Sequence, residues 1–522
     1  MKEKRRKGYE QREAEERLKR EREKRQMSRR ERKEADRQDK RREKKKRARN
    51  KEFARVTYIF VALFIAMMGY ISYFNVVKSR DIISSPYNKR QDSYADRVIR
   101  GKILDRNGNV LAQTNVAEDG TETREYPYNN IFAHVVGYTA QGKSGLESVS
   151  NFELLTSNAF FADKLKNEFQ DKKNQGDNVV TTLDTNLQEA AYDALGSNKG
   201  AVVVMDPSTG KILAMVSKPD FDPNTVSQNW NELSTSEDSV LLNRATQGQY
   251  APGSTFKLVT TLEFMRENAD FDSYSYNCTG SIESGDVTIH CYGGHVHGQV
   301  TLRDSLAYSC NTSFSNIGRS LNADTYKDTA QELLFNKKLP SVLPYSKSQF
   351  TLTSSDTEAE RMMTAMGQGK TQVSPYHMAL ITSAIANGGT LMKPYLVDSV
   401  TNNAGNVIEK TKPEKYKDLM TSKEAAQLKD YMTAVTDYGT ASVLGGQNYT
   451  AAGKTGTAEI ASPNGGYKEG VYNISFVGYL PDASTKLVCF VGATDVPGER
   501  KTVPAFHDIM EFAIDRYHIT QD

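Results

Sequence analysis

A serine hydroxyl is a poor nucleophile until a base takes its proton. Pro252-Gly253-Ser254-Thr255-Phe256-Lys257 sets a lysine three residues after a serine. Pro and Gly ahead of the apolar run Phe256, Leu258, Val259 and Leu262 predict that Ser254 opens a helix. Residues i and i+3 share a helix face, so Lys257 should lie beside the Ser254 hydroxyl. Lysine serves as the base when burial and a neighbouring cation lower its pKa. Two further motifs follow. Ser309-Cys310-Asn311 flanks one small residue with two polar groups, and Lys454-Thr455-Gly456-Thr457 lies in a strand-like stretch behind Gly453. A lysine on an edge strand can hold a carboxylate and bias a second lysine toward neutrality, and Gly456 leaves the strand backbone open to a peptide. Each motif alone is weak. In this order, with gaps of 55 and 145 residues, the three together point to acyl transfer through a serine.

The elements around them read as follows. Apolar runs Ala201–Met205 and Ile212–Val216 are joined by Asp206-Pro207-Ser208-Thr209-Gly210, a turn signal, and Ile474–Tyr479 and Leu487–Gly492 read as two more strands. Phe506, Ile509, Met510, Ala513 and Ile514 give an amphipathic closing helix, and Asp184-Thr185-Asn186-Leu187-Gln188 opens another. Strands at both ends of a mostly helical stretch predict an α/β (α+β) domain over residues 181–522: one antiparallel sheet flanked by helices, with an inserted helical lobe. Residues 80–180 mix short strands with turns, including a hairpin at Asn107-Gly108, and form a smaller pedestal. The polar stretch Lys172–Asp177 reads as the linker between the two.

Composition divides the chain again. Its net charge of +3 conceals a basic front end: residues 1–55 carry 27 Lys/Arg against 13 Asp/Glu, leaving 41 against 52 in the remainder. This arm has no apolar face and almost no aromatics, which predicts a solvated helix rather than a nucleic-acid binder. Residues 56–77 form an uncharged apolar stretch long enough to cross a bilayer, with Tyr58, Tyr70 and Tyr73 toward its ends, and set the expected anchor at 56–78. The basic cluster just before it places the N-terminus in the cytoplasm and the body outside. No small-residue cleavage site follows, so the stretch reads as an uncleaved single-pass anchor in the cell membrane.

With its three motifs in order, the sequence resembles the class B penicillin-binding proteins, of the short penicillin-binding protein A-like type. Arg100-Gly101-Lys102-Ile103-Leu104-Asp105-Arg106-Asn107-Gly108, Arg124-Glu125-Tyr126-Pro127 and Gly145-Leu146-Glu147 resemble the motifs of that family's N-terminal domain. Asn243-Arg244-Ala245, Gly367-Gln368-Gly369 and Val373-Ser374-Pro375 also match. The likeness covers about residues 80–500 and implies a membrane-anchored peptidoglycan D,D-transpeptidase that β-lactams acylate. By resemblance Ser254 is the nucleophile, Lys257 the general base, and Ser309, with Lys454, the proton relay. Asn311, Thr455, Gly456 and Thr457 bind a stem peptide. The resemblance implies no cofactor, no metal in the catalytic site and no nucleic acid. The roughly 100 residues between span and catalytic domain are too few for a glycosyltransferase, implying a separate polymerase partner of the SEDS family.

Three features compete with this reading. Glu332-Leu333-Leu334-Phe335-Asn336 approximates the deacylating-glutamate motif of a β-lactamase, or ends a core helix. His290, His295 and His297 stand outside the three motifs, against a Ser-His-Asp hydrolase. Cys278 and Cys291 are open to a disulfide, to free thiols or, with those histidines, to a metal. Cys310 and Cys489 lie in apolar surroundings and read as small buried hydrophobes.

Overall fold

The computed structural model describes residues 2–26, 28–74, 95–462, 466–497 and 501–521. The chain divides into two compact units, Met1–Ile83 and Ser84–Asp522.

In the first unit the charged arm is helical over Lys2–Gln26, and a second helix runs from Arg29 to Tyr73. Ser28 and Glu31 form a capping box at the start of the second helix, satisfying backbone N–H groups that have no partner inside it. The two helices meet through exposed ion pairs such as Lys46–Glu13 at 3.1 Å, contacts that water screens and that add little. No residue of the long helix is buried. Its apolar part, Val56–Tyr73, rises about 27 Å at 1.5 Å per residue, close to a hydrocarbon core. The expected last part of the anchor, residues 75–78, and the start of the pedestal, residues 80–94, lie outside the described residues.

The second unit is built on a five-stranded antiparallel sheet. Its strands run Ala452–Ala461, Tyr467–Tyr479, Val488–Val496, Gly200–Asp206 and Lys211–Lys218 in spatial order. The four strands read from sequence all fall inside it. The helix Pro375–Ala386 packs on the sheet and is buried along its whole length, as a helix apolar all round must be. Ser374 caps it by accepting from the His377 N–H. The closing helix Thr502–Tyr517 packs on the sheet and on Thr185–Leu195, burying Phe506, Ile509, Met510 and Ala513. Helices Lys257–Glu267, Asn311–Ser320, Ala323–Glu332 and Glu358–Ala365 form the inserted helical lobe. The fold is the mixed α/β arrangement that the strand and helix pattern predicts.

A second sheet joins the pedestal to the body. Its six strands run Val407–Lys410, Val397–Thr401, Asn178–Thr181, Ile103–Leu104, Val110–Val116 and Glu122–Glu125. The hairpin at Asn107-Gly108 is present: Gly108 adopts φ 89°, and Asp105 accepts from the N–H groups of Asn107 and Asn109 at 2.8 Å each. The stretch Lys172–Asp177 is not a free linker. Asn174–Gln175 pairs in parallel with Val98–Ile99, and buried Asp177 accepts from the Asn158 N–H at 2.9 Å. Its polarity serves internal hydrogen bonds instead of solvent.

The three N-terminal motifs converge on one buried ion cluster. Glu147 is fully buried and receives Arg100 Nε at 2.6 Å and Arg124 Nε at 2.7 Å, while Arg100 also donates to the Glu147 carbonyl. Burial raises the Glu147 pKa, but the two guanidiniums outweigh it and hold the carboxyl below its ordinary range.

Candidate active site

Ser254 sits in the single 3-10 turn Gly253–Phe256, which runs directly into the helix Lys257–Glu267. Residues i and i+3 nearly eclipse in a 3-10 turn, so Ser254 and Lys257 share one face as the spacing predicts. Gly253 starts the turn at φ +54°, and a Cβ there would stand 2.7 Å from the carbonyl oxygen of Thr457. Its N–H donates to the Gly367 carbonyl at 2.9 Å. The Gly367-Gln368-Gly369 segment is therefore the floor on which the serine turn rests.

Ser309 lies between two helices, Leu302–Ala307 and Asn311–Ser320, at φ +57°. A non-glycine residue in this region is strained. The strain turns both its carbonyl and its hydroxyl toward Lys257. The Lys257 Nζ donates to Ser309 O at 2.8 Å, Ser309 Oγ at 3.2 Å and Asn311 Oδ1 at 2.8 Å. Lys257 is fully buried, and burial lowers its pKa to about 8, against a smaller opposing pull from the Cys310 and Cys291 sulfurs. The cause is desolvation; no neighbouring cation is among those that depress it. In this respect the expected help from a second lysine is replaced by burial.

Lys454-Thr455-Gly456-Thr457 occupies the outermost strand of the five-stranded sheet, in register with Val477, Phe476, Ser475 and Ile474. Lys454 is fully buried, its ammonium donating to Thr455 O at 3.1 Å and Oγ1 at 3.4 Å. Gly456 has a different reason from the one its sequence suggests. A Cβ there would run into Ser475 Oγ and approach Pro252 O to 3.0 Å, so glycine lets the strand close onto the serine turn rather than make room for a ligand. One cleft is lined by Ser254, Ser309, Asn311, Thr455, Gly456 and Thr457 together. Residues separated by 200 positions thus face one space beside an edge strand.

The transpeptidase domain of penicillin binding proteins matches residues 200–511, and the penicillin binding protein A dimerisation domain matches residues 100–179. The chain belongs to the penicillin-binding protein transpeptidase family. Over 437 residues it is 32% identical to the peptidoglycan D,D-transpeptidase PbpA of Mycolicibacterium smegmatis, covering 78% of this chain and 87% of that one. The D,D-transpeptidase domain of a peptidoglycan glycosyltransferase from Eggerthella lenta superposes with a TM-score of 0.72 at 30% identity, over 81% of this chain and 99% of that one. Penicillin-binding protein A from M. tuberculosis, solved as a penicillin G acyl-enzyme, gives a TM-score of 0.72 at 28% identity, over 80% and 99% of the two chains.

The cleft of this family member has walls that its motifs do not announce. Tyr292, His295, His297, Tyr308 and Thr440 also line it. The Gly-rich stretch holding the histidines is therefore part of the site, although it lies outside the three motifs. His297 is not built as a catalytic base: its Nδ1 stands 3.4 Å from Cys278 Sγ, and its ring stacks on Tyr308 at 5.8 Å. Thr440 meets Thr455 hydroxyl to hydroxyl at 2.7 Å. Nothing in its local sequence marks it: it follows the helix Ser422–Asp437, and its N–H donates to the carbonyl of Ala307, distant in sequence, at 2.9 Å. Glu332 ends its helix and pairs with Arg266 at 2.8 Å, while Leu333, Leu334 and Phe335 are buried. That segment is the end of a core helix and does not line the cleft.

All four cysteines are buried free thiols, which fits the burial expected of Cys310 and one of the three states left open for Cys278 and Cys291. Cys278 and Cys291 sulfurs stand 3.7 Å apart, and Cys310 lies 3.8 Å from Cys291. Cys489 alone is the isolated buried thiol expected of it.

Proposed function

We propose that Ser254 is the acylated nucleophile of a peptidoglycan D,D-transpeptidase, with Lys257 as its general base. The observation that carries the assignment is the buried Lys257 ammonium, held by both polar residues of the second motif, which line one cleft together with Ser254, Thr455, Gly456 and Thr457. Neutral Lys257 takes the Ser254 proton as Oγ attacks the D-Ala-D-Ala carbonyl. Backbone N–H groups of Ser254 and Thr457 bear the developing oxyanion. The C–N bond breaks, Ser309 passes a proton to the departing D-Ala amine with Lys454 behind it, and an ester remains on Ser254. An amine of a neighbouring stem then attacks the ester, restoring the Ser254 hydroxyl and forming the crosslink. Asn311 holds the stem amide and Thr457 its terminal carboxylate. Thr455 and Gly456 present an edge backbone along which an extended peptide can lie. A β-lactam enters as a mimic of the same amide, and the penicillin G acyl-enzyme of the M. tuberculosis relative supports that reading.

The division into a cytoplasmic arm (1–55), an anchor (56–78), a pedestal (80–180) and a transpeptidase domain (181–522) belongs to the same proposal. So does an extracytoplasmic body beside a SEDS-family glycosyltransferase. Labelled penicillin, followed for both attachment and release, tests the chemistry. Persistent label on the full chain and none on a folded Ser254→Ala variant is expected. Rapid release with hydrolysis of the drug would instead mark a hydrolase.

A further inference from the structure

We infer that Cys278, Cys291, Cys310 and His297 bind one zinc ion, and that this ion fixes the position of the Ser309-Cys310-Asn311 motif. The need for it begins with a small substructure. Residues 275–301 form two isolated two-stranded ribbons, Ser275–Cys278 with Gly298–Thr301 and Ser281–Ser284 with Val287–His290. A two-stranded ribbon is marginal by itself. Ile289 and Val300 are the only large aliphatic side chains these ribbons bury among the described residues, and at the junction with the helix Asn311–Ser320 lies a separate cluster of three cysteines with Tyr276 packed against it. A unit of that size needs a staple.

The donor atoms have the separations of a tetrahedral site. Cys278 and Cys291 sulfurs are 3.7 Å apart, Cys291 and Cys310 sulfurs 3.8 Å, and His297 Nδ1 is 3.4 Å from Cys278 Sγ. All four donors lie within 4.8 Å of one another. A zinc ion with Zn–S near 2.3 Å and Zn–N near 2.05 Å requires sulfur–sulfur edges of about 3.8 Å and sulfur–nitrogen edges of about 3.6 Å. A disulfide requires about 2.05 Å between sulfurs. It would also join only two of three clustered thiols and give the imidazole no task. Three soft thiolates and an imidazole suit zinc and do not suit magnesium or calcium. The Thr312 hydroxyl, 3.2 Å from Cys278 Sγ, donates to a sulfur as an outer partner that orients a ligand.

The placement gives the ion its purpose. Cys310 lies between the two residues that hold the Lys257 ammonium and caps the helix Asn311–Ser320. Cys291 follows His290, whose carbonyl accepts from Asn311 Nδ2 at 3.0 Å. His297 stacks on Tyr308, the residue before Ser309. Four protein donors close the tetrahedron, so the ion is structural and leaves no position for substrate.

The test uses the full chain in detergent, purified with reductant, and measures zinc by mass spectrometry. About one zinc per chain is expected, with Cys278→Ser, Cys291→Ser and Cys310→Ser nearly metal-free and Cys489→Ser unchanged. Because those three variants could misfold, cobalt exchanged into the wild type supplies a second reading. Tetrahedral thiolate ligation gives intense visible bands and a sulfur-to-cobalt charge-transfer band. Stripping the wild type with a chelator should slow penicillin acylation about 10- to 100-fold, and added zinc should restore it. Substoichiometric metal in the wild type, a Cys278–Cys291 disulfide in its peptide map, or cobalt spectra without thiolate bands would overturn the site. Unchanged acylation after complete stripping would overturn its positioning role.

Discussion

At the scale of single residues, the proposed chemistry depends on Lys257 being neutral often enough to accept a proton. Burial brings its pKa down to about 8, so the neutral fraction grows about tenfold per pH unit below that value and levels off above it. The groups facing its ammonium are Ser309, Asn311 and the Phe314 ring, with the Cys310 and Cys291 sulfurs nearby. Stopped-flow acylation by penicillin should therefore climb from pH 6, pass half its maximum near pH 8 and level off above about pH 9. A profile flat across that range would remove Lys257 from the role of base. Lys257→Met, close in length but without the amine, should reduce acylation at least about 100-fold while leaving the circular dichroism spectrum unchanged. That Ser254 and Lys257 lie on one continuous turn-to-helix segment was legible because it is local. What lowers the lysine pKa was not legible, since desolvation is a property of everything packed around it. Cys310 is buried as its surroundings suggested, but the company it keeps was not legible, for the same reason. Its thiol partners come from 19 and 32 positions away along the chain, where no spacing rule reaches.

At the scale of elements, the site depends on how closely a turn and a strand approach. Gly253 holds φ +54° against the Thr457 carbonyl, and Gly456 meets Pro252 from the other side. Gly253→Ala adds a methyl to both constraints, a left-handed backbone and a contact already full. The expected cost is about 1–3 kcal/mol of stability, read from a chemical denaturation curve. Acylation should fall more than that stability loss accounts for, because the serine turn moves away from Thr457. Normal acylation in Gly253→Ala would refute the close-approach argument. Four strands of the main sheet were readable from a short apolar run that each contains, bounded by turn residues, though Tyr467–Tyr479 extends well beyond its run. The polar stretch Lys172–Asp177 was misread because an internal hydrogen bond, here Asp177 to Asn158, leaves the same trace in sequence as exposure to water. The cleft walls at Tyr308 and Thr440 were invisible, since they are placed by the ends of helices whose packing partners lie far along the chain.

At the scale of the whole second unit, the pedestal is not an appendage. Strands Val397–Thr401 and Val407–Lys410, inserted late in the chain, complete the sheet that begins with Ile103–Leu104. Buried Asp105 of the pedestal accepts from the hydroxyl of buried Thr185 at 2.8 Å, at the start of the first helix of the body. Pedestal and transpeptidase region are therefore tied by backbone pairing and by buried side chains, and they should unfold as one cooperative transition. Glu147 offers the test, because it lies in the pedestal far along the chain from any catalytic motif. Glu147→Ala leaves Arg100 and Arg124 facing each other in a buried site without their counter-charge, a change expected to cost about 3–5 kcal/mol. If the two regions are one unit, calorimetry of the full chain will show the single transition moved down whole, and the temperature at which penicillin labelling fails will move with it. If the pedestal is merely attached, Glu147→Ala will split off an early transition while labelling persists to the wild-type temperature. The shared sheet favours the first outcome: separating the pedestal would expose the backbone edge of Val397–Thr401 where Asn178–Thr181 now pairs with it, and an unpaired buried edge is costly.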